Sequence, residues 1–366
     1  MSQPPPLEET RVYLFAFTGN AKEYFRIWIV NLFLSIVTIG IYSPWAKVRK
    51  RRYFCGNTWV ADANFEYHGN PVAILKGRIV AVLALVLYNL AGHFLPRLGT
   101  VILIALMVAA PWLIVRSLQF NAVNSSYRNL RFHFHGRYRE GLSAIAPLIL
   151  SPLIALLLPF EPGQVPKGND IWLLLLPSVP ILLFYPYIVA RIKRFQVARS
   201  AYGSAPFEFV AGVGKFYRLY FVAMVILVVG SIGAGIFAVG LALIPVVGWL
   251  AIPFFYVLVS AVFFAYTRTR VANLTFNSTS LSQRVRFAST LKARKLGWMY
   301  FENLLCIILT LGLMVPWAVM RTAQYRASCL RLECGGDLEG FLGDVARPVA
   351  ATGDQLGEFF DVDLSL

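Results

Sequence analysis

Few residues in this chain have the type and spacing to do chemistry. His133 and His135 alternate, so on a strand they would share a face and offer two imidazoles to a metal, but no third ligand or carboxylate accompanies them. Cys329 and Cys334 lack a second pair, and with Cys55 and Cys306 they read as reduced thiols, not as a disulfide framework. There is no phosphate-binding loop with its lysine, no zinc-protease helix pattern and no nucleophile elbow. No catalytic residue, cofactor or metal is therefore expected. What remains is polar chemistry within apolar runs. Glu302 beside Asn303 is the one acidic residue inside or at the edge of such a run, where a carboxylate serves proton or cation coupling or rests at the membrane interface. Asn31, Thr38 and Gly40 stand 272 residues before Asn303, Thr310 and Gly312, making a second copy of the same polar set.

The elements that must position these groups belong to a membrane. The chain is 58% hydrophobic and 14% charged with mean hydropathy +0.63, far from the balance of a water-soluble domain. Eight apolar segments, Ile27 to Tyr42, Ile79 to Leu90, Val101 to Val115, Leu142 to Phe160, Ile171 to Val189, Leu219 to Val239, Leu241 to Tyr266 and Met299 to Met320, mostly approach the ~20 residues of a membrane helix. Met1 to Thr10 has three prolines and two glutamates and does not read as a cleaved signal peptide. Net charge is +16, and Glu333 to Leu366 holds eight acidic residues against Arg347 alone. The basic residues flank apolar spans, so anionic lipid headgroups are the expected partner and nucleic acid is not.

A repeat organises the chain. A Pro-aromatic-x-x-x-Arg signature ends an apolar run four times: Pro44-Trp45 with Arg49, Pro111-Trp112 with Arg116, Pro186-Tyr187 with Arg191, and Pro316-Trp317 with Arg321. A degraded copy spans Tyr266 to Arg270. Sixteen residues after three of the arginines comes an alternating pair, Phe65 and Tyr67, Phe132 and Phe134, Phe207 and Phe209. Phe15 and Phe17 form a pair alone, and the fifth unit is read with Val285 and Phe287. Gly19, Gly69 and Gly136 follow at one offset, so each pair reads as a short half-buried strand stopped by glycine. Proline near a helix end, a ring at the interface and an arginine one turn on read as anchors where a helix leaves the bilayer; the sharper alternative is four arginines around a pore or anion site.

Spacing sets the expected topology. From pair to next signature the gaps are 44, 52 and 57 residues, enough for helical hairpins, with short, nearly uncharged linkers and strongly basic loops between hairpins. The positive-inside rule places those loops in the cytoplasm. The first and last gaps, 27 and 29 residues, admit either one crossing or a re-entrant element broken at Thr38-Ile39-Gly40 and Thr310-Leu311-Gly312. Basic residues on both sides of each segment favour re-entry. Gly230, Gly233, Gly235 and Gly240 read as helix packing positions.

These residues suggest a family. Phe17-Thr-Gly-Asn20, Glu23-Tyr-Phe25, Thr38-Ile-Gly-Ile-Tyr-Ser-Pro-Trp-Ala46, Arg51-Arg-Tyr-Phe-Cys-Gly-Asn-Thr58, Phe65-Glu-Tyr-His-Gly-Asn70 and Gly353-Asp-Gln-Leu-Gly-Glu-Phe-Phe-Asp-Val-Asp363 resemble the YjgN-like family of bacterial inner-membrane proteins. The resemblance implies a multi-pass inner-membrane protein and carries over no catalytic residues.

The expectation is thus a mainly α, polytopic helical membrane bundle: three transmembrane hairpins and two related short or re-entrant segments, six to eight spans, with short cytoplasmic β-strands from the repeated loops. Residues 1–23 would be an N-terminal strand and cytoplasmic segment, 24–326 the repeat-built membrane domain, and 327–366 an acidic tail. Paired interrupted helices lined by Asn31, Thr38, Asn303 and Thr310 favour a transporter or channel for a small solute; the alternative is a non-transporting scaffold or anionic-lipid-binding protein.

Overall fold

The computed structural model describes residues 10–157, 176, 178–241 and 245–346. In chain order the elements are β1 (Thr10–Leu14), β2 (Ala16–Phe17), α1 (Ala21–Val37), α2 (Ser43–Gly56), β3 (Thr58–Val60), β4 (Ala63–Tyr67), α3 (Pro71–Phe94), α4 (Pro96–Val123), β5 (Ser125–Tyr127) and β6 (Leu130–Phe134). There follow α5 (Tyr138–Leu157), α6 (Ser178–Ala198), β7 (Ser200–Tyr202), β8 (Ala205–Phe209), α7 (Val213–Leu241), α8 (Pro245–Phe276), β9 (Thr279–Leu281), β10 (Val285–Ser289), α9 (Ala293–Leu309), α10 (Val315–Ser328) and β11 (Leu330–Gly335). A last helix, α11, covers 338–346. The cycle of helix pair and hairpin is regular. Nine residues after Arg49, Arg116, Arg191, Arg270 and Arg321, a short strand begins at Thr58, Ser125, Ser200, Thr279 and Leu330.

Each hairpin owes its shape to a left-handed turn. Ala61 and Asp62 between β3 and β4, and Arg128 and Asn129 between β5 and β6, have φ of 46°, 60°, 46° and 63°. Two consecutive left-handed residues form the turn whose twist matches that of paired strands. Ser282 and Gln283, at 47° and 59°, begin the corresponding turn between β9 and β10, which is one residue longer. Along the strands the alternation is real: Tyr67, Phe134 and Phe209 are buried. Phe65, Phe132 and Phe207 stack in a ladder, with centroids 6.5 and 6.4 Å apart, each neighbouring pair contributing about 1 kcal/mol beyond its burial. The glycine after each pair admits the ring behind it. A Cβ at Gly69 would stand 2.5 Å from the Tyr67 ring, and one at Gly19 2.5 Å from the Phe17 ring. Asn20 and Asn70, one residue further, accept from the backbone N–H of Lys22 and Val72 and so start α1 and α3.

The chain folds as two compact units. In the first (Met1–Val30, Gly56–Asn64, Phe209–Asp337), α7 packs on α8 and α8 on α9, while β11 lies antiparallel between β10 and β1. In the second (Asn31–Cys55, Phe65–Glu208, Leu338–Leu366), α3 packs on α4, α4 on α5 and α5 on α6. There α11 lies against two hairpin turns: Ser204 Oγ donates to Val345 O at 3.1 Å, and Arg128 pairs with Glu339 at 3.6 Å. A small residue marks a helix crossing in each unit. A Cβ on Gly141 of α5 would meet Val115 of α4 at 2.9 Å, and one on Gly297 of α9 would meet Ala265 of α8 at 3.2 Å.

The expected helical bundle of six to eight spans is corrected on two counts. Among the described residues four helical segments are long and apolar enough to cross a membrane: Pro71–Phe94, Val101–Val123, Val213–Leu241 and Ile252–Phe276. The 17-residue α1 and α9 reach only about 26 Å, short of a ~30 Å hydrocarbon core, and each is then broken by a turn. Second, the strands are no fringe. All eleven pair in the order β1-β11-β10-β9-β8-β7-β6-β5-β4-β3-β2. The end strands of this order, β1 and β2, are separated in the chain by Phe15 alone. Residues 330–335, read from the sequence as tail, supply one of its inner strands. In β10 the register also differs from expectation: Phe287 is the third residue, as Phe65 is in β4, and buried Ser289 takes the place of Tyr67. The linker Pro159 to Asp170 and the motif Gly353 to Asp363 lie outside the described residues.

Gly203, in the β7–β8 turn, has φ +55°, and a Cβ there would stand 2.6 Å from Leu130 Cδ2 and 2.9 Å from Val345 Cγ1. Gly203→Ala should cost about 1–2 kcal/mol and loosen α11. The readout is a lower unfolding temperature in detergent with faster proteolysis after Gly336. Unchanged cleavage would show that this turn does not hold α11.

Candidate functional site

The repeated signature resolves into an inward and an outward face of one helical turn. Pro44, Pro111, Pro186 and Pro316 are buried, as are the residues just before each arginine, Val48, Val115, Ala190 and Met320. Pro111 and Pro186 lie inside α4 and α6, and Pro44 and Pro316 in the first turn of α2 and α10. The helices run on for about three turns past the proline before the strand begins. The ring and the arginine, four residues apart, face outward together. Arg116 lies 5.8 Å from the Trp112 ring, Arg191 5.5 Å from Tyr187, Arg270 5.7 Å from Tyr266 and Arg321 5.1 Å from Trp317. Arg191 Nε also donates to the Tyr187 hydroxyl at 3.0 Å. In the first copy Trp45 stacks on Tyr42 at 6.1 Å, and Arg49 is exposed.

The two short elements coincide in detail. Every boundary of α1 and α2 recurs 272 residues later in α9 and α10. Ile39 and Gly40 have φ of 49° and 86°, Leu311 and Gly312 of 50° and 92°. Thr38 Oγ1 donates to Leu34 O at 2.7 Å and accepts from Tyr42 N at 2.9 Å; Thr310 Oγ1 donates to Cys306 O at 2.6 Å and accepts from Met314 N at 3.1 Å. Each hydroxyl is thus spent on the backbone of its own break. Ile39 and Leu311, at the apex, are 94% and 95% exposed, so the breaks present apolar side chains outward.

Asn31 and Asn303, at equivalent positions, are buried at 8% and 6% exposure, and the Oδ1 of each is without a partner among the described residues. Asn303 Nδ2 donates to Thr322 Oγ1 at 3.2 Å. Glu302 is paired: its carboxylate meets Arg321 at 2.5 Å, both half-exposed. That joins two groups which sequence reasoning treats separately. His133 and His135 stack with centroids 6.2 Å apart, and His133 is held below the usual histidine range by burial first, then by His135 and Arg131. No group of three metal-ligating side chains occurs among the described residues. Of the glycines in α7, a Cβ on Gly230 would meet Val259 at 3.1 Å, whereas Gly233 and Gly240 lie in an open apolar groove on the surface of that helix. Arg78 on α3, absent from the sequence-based candidates, donates to Ser43 Oγ on α2.

Apolar side chains cover the outside of the long helices. Val80, Leu83 and Leu87 of α3 are 66%, 62% and 57% exposed, an apolar surface suited to the hydrocarbon of a bilayer. This architecture defines an integral membrane protein. Residues 12–359 match the family described as "Bacterial protein of unknown function (DUF898)", and the chain belongs to that family. It is 26% identical to the inner membrane protein YjgN of Salmonella typhimurium (strain LT2) over 359 residues, 89% of each chain. It is 32% identical to YjgN of Escherichia coli (strain K12) over 127 residues, 33% of this chain and 31% of that one. No solved structure matches. The protein resides in the bacterial inner membrane.

The exposed apices make a topological prediction. With Cys55, Cys306, Cys329 and Cys334 replaced, single cysteines at Ile39 and Leu311 should react with a lipid-soluble maleimide but not with a charged one added to either side. Labelling from water would place the apices outside the bilayer.

Proposed function

We propose that this protein works at the lipid surface of the inner membrane, its helix-end cations holding anionic headgroups, and that it does not conduct a solute. One observation carries the reading: the pair of ring and exposed arginine in the C-terminal turns of α4, α6 and α8. A tryptophan or tyrosine ring sits well at headgroup depth, and a guanidinium stacked beside it is presented to phosphate with its direction set. Each such cation contributes about 1 kcal/mol near an anionic surface. On the positive-inside rule the face concerned is the cytoplasmic one. The helix breaks support the same reading, since Thr38 and Thr310 keep their hydroxyls for the backbone and leave no free polar lining there. Solute transport, the second reading, has one observation in its favour: the unpartnered Oδ1 of buried Asn31 and Asn303.

The native tryptophans report the difference. In reconstituted protein, brominated phosphatidylglycerol should quench Trp112 and Trp317 more strongly than brominated phosphatidylcholine. The preference should fade toward about 1 M salt, where the screening length is ~3 Å. Combined Arg116→Gln, Arg191→Gln and Arg270→Gln should weaken it at low salt. Equal quenching by both lipids, with a cysteine at Asn303 reacting from water, would replace this reading by a solute path.

A further inference from the structure

We propose that Lys47, Arg51 and Arg78 form a binding site for a phosphate group carrying two negative charges, a phosphomonoester headgroup or free phosphate. The inference deepens the headgroup reading above by naming one site and one ligand class. Ser43, Lys47 and Arg51 follow at four-residue spacing on α2 and so share a face. Arg78 of α3 donates to Ser43 Oγ at one end of that face. At the other, Arg51 donates to the Tyr67 hydroxyl at 3.1 Å and to Asn121 Oδ1, with its guanidinium 5.2 Å from the Tyr67 ring. These partners are all neutral, so they aim the guanidinium groups without cancelling their charge.

Lys47 lies between them, exposed, and its ammonium is held below the usual lysine range by burial first, then by Arg51 and Arg78. No carboxylate pairs with any of the three among the described residues. Three cations gathered without a counter-ion repel one another, and an anion relieves that cost. The cluster is also peculiar to this helix. The positions of Lys47 and Arg51 are held elsewhere by Ile114 and Leu118, Val189 and Lys193, Arg268 and Ala272, and Val319 and Ala323. Arg78 lies about 11 Å along α3 from Pro71, a depth from which a long cationic side chain snorkels toward the headgroups. An ammonium at Lys47 flanked by a guanidinium on either side favours a dianionic phosphate over a monoanionic diester.

The test uses the full chain in phosphatidylcholine nanodiscs doped with phosphatidic acid or phosphatidylglycerol at equal fractions, with bound lipid counted by native mass spectrometry. Phosphatidic acid should be retained about tenfold over phosphatidylglycerol, and Lys47→Gln and Arg78→Gln should each lower its retention about tenfold, with Arg331→Gln on β11 neutral. In undoped discs, protection of Lys47 from an amine-reactive reagent by millimolar inorganic phosphate, without phosphatidic acid retention, would assign the site to free phosphate. Retention unchanged in both variants, with no phosphate protection, overturns the site. Loss of phosphatidylglycerol preference in the quenching experiment while phosphatidic acid is still held would remove the surface reading and leave this site standing.

Discussion

A hairpin of one three-residue and one five-residue strand is too small to be stable in water, and its two outer edges expose unpaired amides and carbonyls. Every hairpin here is relieved of that burden by its neighbours. β4 pairs with β5 through Phe65 to Tyr67, β6 with β7 through Phe132 to Phe134, and β10 with β11 through all five of its residues. The last two edges in the order belong to β1 and β2, consecutive pieces of one segment interrupted at Phe15. Edge satisfaction therefore explains why β11 must be part of the sheet. Without Leu330 to Gly335, both β1 and β10 would keep an open edge.

Helix direction follows from this frame. The three long helix pairs start where a five-residue strand ends and return where a three-residue strand begins, while α1–α2 starts after the two-residue β2 and α9–α10 returns into the six-residue β11. In all five the last turns of the returning helix are tied to the sheet at a fixed nine-residue distance from the arginine. Packing by the next helix then decides which way that arginine points. Gly141 sits on Pro111 and Val115, and Gly297 on Ala265, which turns one side of the signature inward and leaves ring and arginine outward. The ring, four residues before the arginine, lies one turn away on the same face, so the cation–aromatic pair needs no long-range organisation.

Much of this was legible in the sequence. Apolar run lengths located the long helices, and the aromatic pairs located one strand of each hairpin, but the helices run about three turns past the proline that was read as their end. The other strand was hidden because Thr58–Val60, Ser125–Tyr127 and Ser200–Tyr202 are three residues long, and because Ala61-Asp62, Arg128-Asn129 and Ser282-Gln283 turn left-handed without the Asn-Gly or Asp-Gly that announces such a turn. The span count differs at α5 and α6, whose expected runs, Leu142 to Phe160 and Ile171 to Val189, extend beyond the described residues and are not among the four spans found there. The breaks after α1 and α9 fall at the Thr38-Ile39-Gly40 and Thr310-Leu311-Gly312 positions that the sequence marks. The Glu302–Arg321 pair and the approach of Arg78 to Ser43 bring together residues 19 and 35 apart, and no local periodicity reports a meeting across a turn or between two helices.

The breaks themselves argue about function through what surrounds them. A helix interrupted to make a solute site exposes freed carbonyls and amides to a cavity, and polar residues follow them there. At Thr38–Gly40 and Thr310–Gly312 the opposite holds. The threonine hydroxyl bridges the carbonyl four residues before it to the amide four residues after it, the glycine N–H returns to Ser35 O or Ile307 O, and the residue between is an aliphatic chain in the open. Such a break reverses the chain while hiding its polar groups, which is the requirement for an apex in contact with hydrocarbon. The polarity of these elements lies instead along the helices that leave the apex, at Asn303 with Thr322, Glu302 with Arg321, and Ser43 with Arg78. The polar contacts of these elements therefore lie along their helices and away from the apex.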